Sequence, residues 1–273
     1  MAATEELGAL AGVARKNWKV FLSYRLWFIS DILMGFFFAG NALLIGIGLT
    51  GKRYSESLAE LTGYSDYLLF AVLGFMVLGF GLTFLSGFVW SVVDELYVGT
   101  LEYSFASPMR RITFFLGNVL VRLVLNGVFL LVYIPLFAVL FNLRIDAIPF
   151  LRGLAVLLLG TPGMVGLGLA AAGIVLYLRD PGPFISILEM LVFALSGAMY
   201  PISILPKPLQ LMAKALPYAP TTEALREAVV HGIWGARGEI AHLLLVSAAY
   251  TIFGYLAYKW SEKQARKIGL KGY

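Results

Sequence analysis

Six stretches of this chain, residues 26–49, 67–90, 113–141, 151–177, 183–204 and 240–260, are each continuous apolar runs of more than 20 residues. A helix of about 20 apolar residues crosses roughly 30 Å of hydrocarbon. The runs do not alternate with period two, so a β-barrel reading fails. Composition agrees. Charged residues make up 14% of the 273, where soluble domains carry about 25%, and the mean hydropathy is +0.84. A soluble fold of this size cannot hide that much apolar surface, and without a single Cys the chain is no disulfide scaffold. The expected fold is an all-α membrane protein with six transmembrane helices, and Thr161-Pro162-Gly163 predicts a kink in the fourth.

Six spans put both termini on one side. Twelve Lys and Arg lie in the segments of that side and eight in those of the other. The positive-inside rule therefore places both termini in the cytoplasm, and the chain is read as a multi-pass protein of the plasma membrane. The net charge of +5 points to anionic lipid as a partner, not nucleic acid. In residues 1–25, Leu7, Leu10, Ala11, Ala14, Trp18, Phe21 and Leu22 recur at helical spacing beside Arg15, Lys16 and Lys19. That pattern predicts an amphipathic helix in the headgroup region, in place of a cleavable signal.

Catalytic chemistry has little to work with. The two histidines, His231 and His242, form no HExxH, and no Cys completes a metal site. Gly46-Ile47-Gly48-Leu49-Thr50-Gly51-Lys52-Arg53 matches seven positions of a phosphate-binding loop. Arg53 stands where Ser or Thr would hold magnesium, and no strand precedes it. No catalytic residue, metal ligand or cofactor of the chain's own is expected. Three charged residues lie well inside the spans, away from their ends: Asp31, Arg122 and Glu189. They lie roughly 8, 14 and 9 Å from the cytoplasmic ends of their helices at about 1.5 Å per residue. A charge at mid-bilayer costs at least about 2.5–3.5 kcal/mol. Arg122 is accordingly expected to pair with Glu189 or Asp31, or each to reach the headgroups.

Between the second and third spans, Val93, Tyr97, Leu101 and Phe105 recur every four residues, and Ser107-Pro108 follows. The spacing predicts a short amphipathic helix over 91–108, stopped by the proline. Asp94, Glu95 and Glu102 set negative charge on the positive side. Glu95, Gly99-Thr100-Leu101-Glu102 and Ser107-Pro108 resemble the pattern of permease subunits of the ABC-2 transporter family. In that family the segment is a coupling helix that docks on a separate ATP-binding subunit, so the resemblance implies that Asp94, Glu95, Tyr97, Gly99, Thr100, Leu101, Glu102, Ser107 and Pro108 serve coupling.

Residues 205–238 resemble the family's outer re-entrant region, through Leu205-Pro206, Pro217, Pro220 and Leu225-Arg226. The prolines at 201, 206, 208, 217 and 220 cut the stretch into short helices, tolerated at membrane depth only when protein buries them. The resemblance covers the whole chain as one domain, 1–273. It implies the permease of an ATP-driven exporter, with two ATP-binding subunits that hold ATP and magnesium. A second permease subunit, identical or similar, completes it. The aromatic first and second spans suit a hydrophobic drug-like or lipid substrate. The alternatives are a glycan exporter of the same family and an ion-gradient-driven carrier.

Overall fold

The computed structural model describes residues 3–23, 54, 56–100, 103, 110–141, 146–178 and 181–268, with scattered positions between 26 and 48. Asp31 and most of the first expected span fall outside what is described. Among the described residues the helices are α1 (Ala3–Ser23), α2 (Glu56–Thr62), α3 (Tyr67–Val98), α4 (Arg111–Phe141), α5 (Ala147–Val175), α6 (Gly182–Leu195), α7 (Lys207–Ala215), α8 (Tyr218–Gly235) and α9 (Arg237–Ile268), with a 3₁₀ turn at Ile202–Ile204. No strand forms among them.

Tyr67–Val98, Ala147–Val175 and Arg237–Ala265 are long and apolar enough to cross a membrane. Asp66 starts α3 where the sequence places it, its carboxylate accepting the N–H of Leu68 at 3.0 Å. Helix α5 lies at the centre and packs against α3, α8 and α9. Its buried face is rich in Gly and Ala, among them Gly160, Gly163, Gly166, Ala170 and Ala171. Small residues let helices approach closely where lipid gives no hydrophobic drive to association. The closest approach joins α5 to α9, where a Cβ added at Gly254 would collide with the carbonyl of Gly166. Phe115 of α4 stands between Phe88 of α3 and Tyr258 of α9, with ring centroids 5.3 and 5.1 Å apart. Such ring pairs add about 0.5–1.5 kcal/mol beyond area burial. Asn126 of α4 donates to Thr83 Oγ1 at 2.7 Å and Gly79 O at 3.0 Å, a polar tie to α3. Helix α5 continues through Pro162 as one element.

The fifth expected span needs correction. Residues 183–204 are not one helix: α6 has 14 residues, about 21 Å at 1.5 Å each, short of the hydrocarbon thickness. The chain turns at Gly197, φ 69°. There Ser196 Oγ donates to Phe193 O at 2.9 Å and accepts the Ala198 N–H at 3.2 Å. Helices α7 and α8 then follow, each entered from a proline, Pro206 and Pro217. Pro220 sits in the first turn of α8, where its missing N–H leaves no intrahelical bond unmade. The first half of α8, from Tyr218 to Arg226, is buried but for Glu223. It lies against α5, α9 and α3.

Candidate functional site

The C-terminal end of α3 carries the segment singled out for coupling. Residues 91–98 are its last two turns, not a separate helix over 91–108, and Gly99 ends them at φ 73°. The Gly99 N–H donates to Leu96 O at 3.1 Å and the Thr100 N–H to Glu95 O at 2.9 Å, the paired bonds that close a helix on a left-handed residue. Val93 is fully buried and Tyr97 is 62% exposed, so the fourfold spacing does not mark one face. Leu101, Glu102, Ser107 and Pro108 lie outside the described residues; Tyr103 is helical and exposed.

Glu95 is buried, and both of its carboxylate oxygens are engaged. Oε1 takes Lys16 Nζ of α1 at 3.0 Å and Oε2 takes the Thr100 hydroxyl at 2.5 Å. Its place in the structure is therefore a lock between α1 and the turn after α3. Asp94, Tyr97 and Val98 are exposed on the other side. Of the charges around Asp94, Arg122 and Lys16 attract it and Glu95 repels it.

Helix α1 docks along α4. Glu6 Oε2 accepts from the Thr113 hydroxyl at 2.5 Å, Glu6 Oε1 from the Arg110 N–H at 3.3 Å, and Asn17 donates to Asn118 Oδ1 at 3.0 Å. The predicted apolar stripe divides. Leu10, Ala14 and Phe21 are half-buried, while Leu7, Ala11, Trp18 and Leu22 stay exposed. The exposed four hold helical spacing, beside Arg15 and Lys19.

The intramembrane charges are arranged differently from expectation. Among the described residues no ion pair joins Arg122 to Glu189. Glu189 of α6 accepts a short hydrogen bond from the Ser86 hydroxyl of α3. Arg122 is exposed, and its side chain runs beside Gly87 of α3.

At the opposite end of α3 stands Arg226. Its guanidinium is buried and spends its donors on main-chain carbonyls. Nε and Nη2 go to Phe70 O at 3.2 and 2.7 Å, Nη1 to Gly197 O at 2.8 Å and Nη2 to Ala198 O at 2.8 Å. The group also lies 3.3 Å over the Phe70 ring. Gly197 and Ala198 follow the C-terminus of α6, the end of a helix that favours a cation. Tyr64 closes the cluster by donating its hydroxyl to Arg226 O at 2.5 Å, and Tyr67 donates to Met199 O at 2.9 Å. Burial pulls the Arg226 guanidinium down to about 9, opposed by Tyr64 and Glu223, so it remains charged at neutral pH. Burial raises the Glu223 carboxyl, with Lys214, His242 and Arg226 acting against it. The sequence marked Pro206, Pro217, Pro220 and Arg226. It did not mark Phe70, Gly197 and Ala198, which take part through their carbonyls, or Gly74, where a Cβ would collide with Arg226 Nη2 and Ala198 O.

Long apolar helices packed through small residues, with the first half of α8 buried between them, define a multi-pass helical membrane protein. The family model for the ABC-2 type transporter matches residues 10–230. The chain belongs to that family, as a permease subunit of the kind that generally works with a separate ATP-binding subunit. None of the curated proteins compared with it matches.

Proposed function

We propose that this permease is the membrane half of an exporter that moves a hydrophobic drug-like or lipid substrate out of the cytoplasm or inner leaflet by alternating access. Both termini lie in the cytoplasm of a plasma-membrane protein, as the twelve-to-eight split of Lys and Arg favours. Two ATP-binding subunits, which hold the ATP and magnesium, dock from that side, and a second permease subunit completes the path.

The observation that carries this reading is the continuity of α3. One helix of 32 residues, about 48 Å long, joins the exposed Asp94–Tyr97–Val98 surface to the Arg226 clasp on Phe70 O. The docking end is fixed to α1 by Glu95, so a displacement there is carried by a rigid element instead of absorbed by a loop. A ligand shifts a two-state equilibrium only through its differential contacts with the two states. Here nucleotide-bound and nucleotide-free ATPases would press differently on the end of α3. The exposed α1 stripe of Leu7, Ala11, Trp18 and Leu22 suits the lipid headgroup boundary.

The test is reconstitution of the permease with its ATP-binding subunit in vesicles. Movement of a lipophilic dye should require both subunits and hydrolysable ATP. Dye movement driven by an ion gradient without nucleotide would replace this reading with the carrier.

A further inference from the structure

Glu189 is a carboxylate set in an apolar helix. Among the described residues its hydrogen-bond partner is Ser86 of α3, and no Lys or Arg pairs with it. The Ser86 hydroxyl donates to it and so fixes where the carboxylate lies between α3 and α6. The residue is half-buried, so it is reachable from outside the protein core. Its neighbours on α6, Ile187, Met190 and Leu191, are 61%, 72% and 46% exposed and apolar. An intramembrane acid of this kind is retained at a cost that a partner would relieve. Arg122, the basic residue set deepest in the expected spans, does not fill that place.

Resting on the exporter reading above, we propose that Glu189, oriented by Ser86, binds the positive charge of a lipophilic organic cation at the contact of α3 and α6. Hard inorganic cations fit poorly, since calcium and magnesium take about six or more oxygen ligands and this place offers a carboxylate and a hydroxyl. A bulky organic cation carries its charge on an apolar body, which the exposed Ile187, Met190 and Leu191 can cover. The carboxylate then supplies charge selection and the surrounding residues supply unselective apolar contact.

The test uses the purified permease–ATPase complex in detergent and two ions of nearly equal size and opposite charge, tetraphenylphosphonium and tetraphenylborate, in equilibrium binding. The wild type should bind the cation at least tenfold more tightly than the anion. Glu189→Gln should lose at least tenfold in cation affinity with the anion unaffected, Glu189→Asp should keep the preference, and Ser86→Ala should weaken cation binding severalfold. Equal affinity of the wild type for the two ions would overturn the proposal without any variant. So would a folded Glu189→Gln complex that binds the cation as the wild type does. ATP-driven uptake into vesicles separates the two readings. Glu189-dependent cation binding without ATP-driven movement supports the site and removes the exporter. ATP-driven movement of a neutral dye without Glu189-dependent binding keeps the exporter and overturns the site.

Discussion

Replacing Arg226 with alanine is expected to destabilise the protein by about 3 kcal/mol or more, among the largest losses from any single substitution. The variant strips the carbonyls of Phe70, Gly197 and Ala198 of the donor they share. A buried polar group left unsatisfied costs about 1–3 kcal/mol; the carbonyls of Gly197 and Ala198 lose their donor, while that of Phe70 keeps its bond within α3, and water entering recovers part. Arg226→Lys should rescue little, because an ammonium cannot spread planar donors over three carbonyls as a guanidinium does. Gly74→Ala should cost a comparable amount, since its methyl would collide with Arg226 Nη2 and Ala198 O. In an Arg226→Ala background the Gly74→Ala loss should shrink, because half of the collision is gone. Residues that share a partner couple in this way and do not add. Thermal unfolding in detergent gives all four values. Additive losses would mean that Gly74 and Arg226 do not meet.

Glu95→Lys is expected to lower ATP-driven transport at least tenfold while leaving ATP hydrolysis by the complex in place. The magnitude follows from burial, not from the ion pair. Lys16 is 60% exposed on its side chain, and pairs of that kind contribute about 0–1 kcal/mol, so Lys16→Ala should have a small effect. Glu95 is 9% exposed on its side chain. A lysine there places an ammonium beside Lys16 in a buried position, and removes the acceptor of the Thr100 hydroxyl. Helix α1 should then separate from the end of α3, so that a push on Tyr97 and Val98 moves a loosened turn. Exchanging the two charges, Lys16→Glu with Glu95→Lys, should recover part of the transport. The measurement is transport per ATP hydrolysed in reconstituted vesicles. An unchanged ratio for Glu95→Lys would contradict the role given to the lock.

The starts of these helices were easier to read than their ends. The apolar run from residue 67 placed the start of α3 correctly, and the structure adds the cap, the Asp66 carboxylate acting on its own next turn. The expected end at Trp90 was short by two turns. Hydropathy stops at Asp94 and Glu95, whereas the helix runs on until Gly99 offers a left-handed residue. The fourfold recurrence of Val93, Tyr97, Leu101 and Phe105 read through that glycine, and the closing bonds prevailed over the pattern. The same blindness joined 183–204 into one span, since an apolar count does not register the turn at Gly197. The prolines at 206 and 217 were legible, because they act on their own backbone. Arg226 was legible only by its place after Leu225. Its partners are carbonyls, which every residue has, and Phe70 is 156 positions away. Glu189 was legible as a charge in a span, but Ser86, 103 positions distant, carries no mark that names it as the partner. The apolar stripe of α1 was visible as a whole. Its division between α4 and the exterior was not, because Asn17 and Glu6, which fix the docked face, read as polar.

The central claim is that this permease takes its drive from a separate ATP-binding subunit docked on the exposed end of α3. Affinity capture of the tagged chain from its native membranes tests it most directly. The account predicts that an ATP-binding subunit is captured in equal amount with the wild type, and that Tyr97→Glu with Val98→Glu, at positions 62% and 73% exposed, releases it while the permease keeps its melting temperature. Capture of the ATP-binding subunit at the wild-type level by that variant would contradict the docking surface, and a wild type that captures none would contradict the account as a whole.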